Sequence, residues 1–318
     1  MNETSESQLE QKMVNELARE FLREQRIHRR WNIVFKCLLA LYLFSFLAIY
    51  LAGQGEMGPI GGGRHTALVD INGVIAMDSE ANADYISSGL RAAFEDKNTA
   101  GVILRINSPG GSPVQSGYIN DEITRLRAEY PDTPLYAVIS DLCASGGYYI
   151  ASAADAIYAD KASLVGSIGV IMAGFGFVDT IEKLGIERRV RHAGESKAFM
   201  DPFSPQKQEE IAHVDGLLDQ VYQQFIDTVK AGRGERLVSG QDDVIFSGLI
   251  WTGEQSIELG LVDALGSAGY VAREVIGEED IVDFTRRDSY LDQFAGSLGA
   301  SLGRQIRSMF NYSITNSL

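Results

Sequence analysis

The chain has 318 residues, of which 45% are hydrophobic, so it can bury the core of one large domain or of two smaller ones. Its formal net charge is −15, and the excess of Asp and Glu lies after residue 64, where 36 acidic residues accompany 20 basic ones. That charge would repel a phosphate backbone, which is bound by clustered Lys and Arg, so nucleic acid is excluded as a partner.

The first predicted elements are helices. Apolar residues recur at helical spacing in residues 2–30, which suits an amphipathic or self-pairing helix. Trp31 to Ala52 is an apolar run long enough to cross a bilayer as a helix, and its only charge, Lys36, lies near its start. A buried core helix is the alternative, but this run is apolar all round and a glycine-rich linker follows it. Residues 31–52 are therefore predicted to be a membrane anchor.

Positive charge predicts the orientation of this anchor. Basic residues that precede or open it include Arg19, Arg23, Arg26, Arg29, Arg30 and Lys36. Arg64 alone follows it closely, so the positive-inside rule places the N-terminus in the cytoplasm and the rest of the chain on the far side. The long polar stretch before the span argues for a retained anchor rather than a cleaved signal peptide.

After the linker, 53–64, a separate domain is predicted over residues 65–285, and residues 286–318 form a C-terminal tail. Buried strands are predicted at 66–75, 100–108, 134–140 and 154–160, and helices at 82–97, 115–130 and 206–233. This alternation predicts an α/β fold with a largely parallel sheet covered by helices.

Two glycine-rich turns in this domain are candidate site elements. The helix predicted at 115–130 follows Ser108-Pro-Gly-Gly111, where the glycines permit a close backbone approach and the turn can present a bare N–H. In the second turn, Gly166-Ser167-Ile-Gly169, the Ser167 hydroxyl could bond an amine. Either turn could equally be structural only, satisfying its own backbone.

A candidate nucleophile follows the third predicted strand. Ser145 precedes Gly146 at the start of an apolar helix, where a serine often serves only as the N-cap. The same position directs the Gly146 N–H and the helix dipole toward an oxyanion formed beside Ser145. Cys143 is read as a small buried side chain rather than a thiol catalyst, and Cys37 lies within the predicted anchor, so no disulfide framework is expected.

The base for this serine is less clear from the residues. The histidines fit no recognisable hydrolase motif, although His192 stays open as a candidate. A lysine can replace histidine where its amine is neutral. Lys197, in HAGESKAFMDPF, differs from the other lysines of the domain because no basic residue stands near it, while they lie in polar or charged stretches. Local sequence alone favours Lys197 only weakly.

Five blocks occur in order along the chain: SPGG, ASGGYYIA, GSIGV, GESKAFMDPF and WTGEQSIELGLVD. Together they resemble the bacterial signal peptide peptidase A family in its short form, with one catalytic domain, over about residues 66–275. The resemblance implies a Clp-protease/crotonase-like α/β fold and a Ser–Lys dyad of Ser145 and Lys197. It further implies that Gly111 and Gly146 supply the oxyanion-hole amides and that Ser167 orients the lysine.

The resemblance also implies a homo-oligomer in the bacterial inner membrane that hydrolyses remnant signal peptides and needs no metal or nucleotide. A crotonase-like acyl-CoA enzyme and a catalytically inactive membrane scaffold are the alternatives. The tail after Asp288 matches none of the five blocks. It is open to interpretation as a partner helix, a membrane-surface helix or a segment that visits the active site.

Overall fold

A computed structural model describes residues 29–48 and 63–287, which belong to two separate units. Most of the predicted N-terminal segment, the end of the predicted anchor, nearly all of the linker and the tail from residue 288 onward lie outside the described residues. The predicted domain boundaries therefore stay predictions.

The first unit contributes one helix, α1 (Arg29–Ala48), with 20 residues and a mean hydropathy of 1.8. At 1.5 Å per residue this helix is about 30 Å long, which matches the hydrocarbon thickness of a bilayer. It is long and apolar enough to cross a membrane.

In the second unit, residues 63–287, eight strands form one sheet. They are β1 (His65–Asn72), β2 (Thr99–Ser108), β3 (Leu135–Ala144), β4 (Ala156–Ala159), β5 (Leu164–Gly166), β6 (Ile250–Thr252), β7 (Ala264–Leu265) and β8 (Ile281–Asp283). The main path runs β6-β5-β3-β2-β1-β8, and β4 and β7 continue from β3 as a branch. All pairs are parallel except β5 with β6.

The helices of this unit lie between and around the strands. They are α2 (Ala83–Glu95), α3 (Pro113–Glu129), α4 (Gly146–Ala151), α5 (Val178–Lys183), α6 (Gln208–Arg233), α7 (Asp242–Ile245), α8 (Gly253–Glu258) and α9 (Ala268–Tyr270), with a 3-10 turn at Gly234–Arg236 and a π-helical turn at Val271–Ile276. The expected α/β fold with a mostly parallel sheet and covering helices is confirmed.

The sheet divides along β3. The first half of β3 pairs with β4, whereas its last residues, Leu142 to Ala144, pair with β5. Strand β3 therefore pairs with a different strand at each of its two ends. Because Ser145 follows β3 directly, the division places the end of β5 beside it.

The core explains why these residues form strands and helices. Val69 and Ile71 of β1 and Leu104 and Ile106 of β2 are fully buried, as expected for a parallel sheet covered by helices. Asn82 caps α2 by accepting a hydrogen bond from the Tyr85 amide.

A buried ion pair fixes the end of the long helix α6. Arg233 is 1% exposed and donates to the Gly260 carbonyl at 2.8 Å and to the Asp263 carboxylate at 2.7 Å. Asp263 also accepts from the Ile157 amide. Burial raises the pKa of Asp263, but the hydrogen bonds and charge of Arg233 outweigh it and hold the pKa below its usual value.

Candidate active site

Ser145 occupies a strained turn between β3 and α4. Its φ of 51° and ψ of −121° lie in a region that residues other than glycine rarely adopt. The backbone is fixed on both sides, since the Ser145 amide donates to the Gly166 carbonyl at 2.8 Å and its carbonyl accepts from Tyr149. The side chain makes no capping hydrogen bond. The strained strand-to-helix turn is the kind that presents a nucleophile.

The turn before α3 packs against this one. Gly110 has φ +93°, and a Cβ there would lie 2.6 Å from the Gly146 nitrogen, so only glycine allows the approach. A Cβ on Gly146 would in turn lie 3.3 Å from the Gly111 nitrogen. The amides of Gly111 and Gly146 therefore lie side by side next to Ser145.

Neither of these two amides donates a hydrogen bond to another part of the described chain. Gly146 is the first residue of α4, so its N–H has no partner within the helix. Two adjacent, unbonded N–H groups beside a serine can stabilise the negative oxygen of a tetrahedral intermediate.

A cavity of about 540 Å³ opens in front of Ser145. Four predicted site residues line it: Gly111, Ser145, Gly146 and Ser167. Much of its remaining wall is apolar and comes from Pro113, Tyr149, Val170, Ile171, Val221 and Phe225. A concave, mostly apolar site with a few polar groups is typical of a small binding pocket.

Ser167 is brought to this cavity by β5. It has φ 51°, and its amide donates to the Leu249 carbonyl. Gly166 before it has φ +116°, and a Cβ there would meet the ring of Trp251 at 2.6 Å. The pairing of β5 with the end of β3 thus holds Ser167 on the same cavity wall as Ser145.

Lys197 is placed differently. Its side chain is exposed, its amide donates to the Gly194 carbonyl, and the residue does not line the cavity of Ser145. The single chain thus brings together four of the five predicted site residues and leaves the lysine outside.

The other candidate groups do not line the cavity of Ser145 either. His192 is exposed and bonds the Gly194 carbonyl through Nδ1, and His65 is buried beside Phe284. None of the histidines in the described residues lines the cavity. Cys143 is fully buried, and burial raises the pKa of its thiol, which disfavours a reactive thiolate. The interpretation of Cys143 as a packed side chain fits its surroundings.

One further residue of this region, Ser116, is not predicted by any sequence pattern. Ser116 of α3 lines the cavity, and a Cβ on Gly146 would clash with its Oγ. Nothing in the spacing of the sequence distinguishes Ser116 from other polar residues of α3. Only the packing of α3 against the start of α4 reveals its position.

The chain resembles known peptidases in sequence. The model of peptidase family S49 matches residues 128–281. The "Putative signal peptide peptidase SppA" of Enterococcus faecium is 30% identical over 246 residues, which are 75% of this chain and 70% of that protein.

Two further matches are a much longer relative, covered only in part, and a solved structure. The Na(+)/H(+) antiporter NhaA of Brucella melitensis biotype 1 is 45% identical over 190 residues, which are 60% of this chain, and the chain spans only 25% of that relative's length. The solved structure of a mutant 1510-N membrane-bound stomatin-specific protease, in complex with a substrate peptide, matches with a TM-score of 0.43 at 15% identity. That match covers 75% of this chain and 99% of the other.

Proposed function

Because the chain belongs to the signal peptide peptidase A family, peptidase family S49, we propose that it is a membrane-anchored serine endopeptidase with Ser145 as its nucleophile. One observation carries the proposal. Ser145 lies on a strained turn, uncapped, beside two unbonded backbone amides at the mouth of an apolar cavity. This arrangement suits acyl transfer to a serine hydroxyl.

In the proposed reaction, the Ser145 hydroxyl attacks a peptide carbonyl while the neutral amine of Lys197 takes the hydroxyl proton. The carbonyl oxygen becomes an oxyanion that accepts hydrogen bonds from Gly111 and Gly146. Lys197 then gives its proton to the leaving amine, and an ester of Ser145 remains. Water hydrolyses the ester by the same steps, and Ser167 orients the lysine throughout.

Lys197 does not line the cavity of Ser145 within one chain, and we infer that a second copy of the chain supplies it. The segment from Val170 to Phe203, which includes Lys197, exposes several large apolar side chains: Ile171, Met172, Phe175, Leu184, Ile186 and Phe199. Such surface in one segment is typical of an interface. A homo-oligomer would cover it and bring one copy's lysine to the next copy's serine.

The substrate class follows from the cavity and the anchor. An apolar pocket beside Ser145 favours peptides with hydrophobic side chains at the cleaved bond. Helix α1 holds the enzyme at a membrane, and the positive-inside rule places its catalytic domain on the extracytoplasmic side of the bacterial inner membrane. Remnant signal peptides are hydrophobic and are left in that membrane, so they fit both the cavity and the location of the enzyme.

Mixing two inactive variants tests the shared site. Ser145→Ala and Lys197→Ala should each abolish cleavage of a hydrophobic peptide while remaining folded by circular dichroism. A mixture of the two, dissociated and reassembled together, should recover a measurable fraction of the wild-type rate, because some interfaces then pair an intact serine with an intact lysine.

The matched control is the double variant Ser145→Ala, Lys197→Ala, taken through the same dissociation and reassembly, which should stay inactive. An inactive mixture of the single variants, with mixed oligomers verified by native mass spectrometry, would rule out a lysine from the second copy. Full activity in Lys197→Ala alone would remove the lysine from the mechanism.

A further inference from the structure

Ser116 carries an unusual hydroxyl. It is fully buried on α3, and its Oγ is one of two buried side-chain polar atoms in the described residues that have no hydrogen-bond partner, the other being Nε of Arg127. Buried polar groups are nearly always hydrogen-bonded, since leaving one unpaired costs its lost hydration without any return. An unpaired hydroxyl at this position needs an explanation.

A serine inside a helix has an easy partner that Ser116 does not use. Such hydroxyls commonly donate to a carbonyl of the preceding turn. Two helical hydroxyls among the described residues do so: Thr124 donates to the Asn120 carbonyl at 2.9 Å, and Ser256 donates to the Thr252 carbonyl at 2.8 Å. The Ser112 carbonyl is in reach of Ser116, since it accepts from the Ser116 amide at 3.1 Å. Ser116 Oγ nonetheless faces another way.

The hydroxyl lies against the oxyanion amides. A Cβ built on Gly146 would clash with Ser116 Oγ and would lie 3.3 Å from the Gly111 nitrogen, so all three groups border the same small space. Ser116 also lines the cavity that contains Ser145. The neighbouring amides are donors only, so they cannot accept the hydroxyl hydrogen, whereas an oxyanion between them could.

We propose that Ser116 is a third donor of the oxyanion hole. In the resting protein its hydroxyl has no acceptor. When the carbonyl oxygen of the substrate becomes negative, the Ser116 hydrogen turns toward it and adds a hydrogen bond to those of Gly111 and Gly146. The cost of the unpaired group is borne by the free protein, and the gain appears only in the transition state, where it raises kcat. This inference rests on the proposed function.

The test compares Ser116→Ala with Ser256→Ala in the full-length oligomer. Ser116→Ala removes an unpaired hydroxyl, so the melting temperature should not fall, whereas kcat on a hydrophobic peptide should fall about tenfold and KM should change less than about twofold. Ser256 is also fully buried on a helix, but its hydroxyl is bonded and it does not line the cavity. Ser256→Ala should therefore lower the melting temperature and leave kcat unchanged.

A second measurement uses a peptide aldehyde, which forms a tetrahedral adduct with a serine. Ser116→Ala should weaken its inhibition about tenfold and leave inhibition by the matching peptide acid unchanged. If kcat and aldehyde inhibition are both unaltered in Ser116→Ala, the third donor is disproved while the peptidase proposal stands. If Ser145→Ala keeps the wild-type rate, the nucleophile assignment fails and this inference fails with it.

Discussion

Strain is concentrated at the residues of the site. Ser145 and Ser167 both have φ of 51°. Each directly follows a strand, and both line the same cavity. Such backbone conformations cost about 1–3 kcal/mol each and persist where the surrounding structure holds them. Here the Gly166 carbonyl and the Leu249 carbonyl bond the two strained amides. The fold thus stabilises a turn that points a serine into the cavity.

Gly146→Ala tests the geometry of the oxyanion amides. The added methyl group would clash with Ser116 Oγ and would lie 3.3 Å from the Gly111 nitrogen, so the start of α4 must move. Loss of one oxyanion donor lowers kcat by about 10²–10³. We expect a decrease of this size in the steady-state kcat for peptide cleavage.

The control for this change is Gly117→Ala, one residue after Ser116 on α3. A Cβ at Gly117 meets nothing within 4 Å, so the protein should keep its kcat and gain up to about 1 kcal/mol in free energy of unfolding. Equal kcat values for Gly146→Ala and the wild type would show that the Gly146 amide takes no part in catalysis.

At the scale of elements, a charged contact joins helices α2 and α3. Glu122 of α3 accepts from Arg91 of α2 at 2.5 Å and from Arg125 at 2.9 Å. The hydrogen bond with Arg125, reinforced by Arg91, lowers the pKa of Glu122 to about 2. A carboxylate with a depressed pKa stabilises the fold above its unfolded pKa, and this contribution is lost as the pH falls toward the folded value.

Glu122→Gln should therefore be less stable than the wild type near pH 6, by about 1 kcal/mol because both arginines are half exposed. The difference should shrink between pH 4.5 and pH 2, where wild-type Glu122 becomes protonated. Urea unfolding at several pH values measures this. Glu129→Gln, which removes a more exposed partner of Arg125, serves as the control and should have a smaller effect. A difference that is constant with pH would contradict the assignment.

Elements with strong periodicity could be predicted, and short or branching ones could not. Strands β1 to β4 and helices α2, α3 and α6 lie where alternating apolar runs and helical spacing predict them. Strands β5 to β8 have two or three residues each, which is too short for a periodic signal. The division of the sheet at β3 depends on contacts between distant segments, so no local pattern contains it.

The site shows the same limit. The start of the helix after β3 indicates Ser145 and Gly146 in the sequence, whereas Gly111 follows only from the family resemblance. Ser116 was missed because its role depends on the packing of α3 against α4. The role of Lys197 stays a prediction, because Lys197 does not line the cavity of Ser145 in a single chain.

At the scale of the whole molecule, helix α1 and residues 63–287 have different properties. Helix α1 is apolar over a bilayer thickness, whereas residues 63–287 have a core of their own. In the proposed function, the anchor concentrates the enzyme where hydrophobic peptides collect. In the same proposal, the exposed apolar segment from Val170 to Phe203 of a neighbouring copy supplies Lys197 to each site.

The most direct test of this account is to label the purified full-length protein with a serine-reactive fluorophosphonate and locate the modified residue by mass spectrometry. We expect one modified residue, Ser145, with peptide cleavage lost in proportion to labelling and no labelling of Ser145→Ala. Modification of a different serine with the same loss of cleavage, or full cleavage after complete labelling of Ser145, would contradict the assignment of Ser145 as the nucleophile.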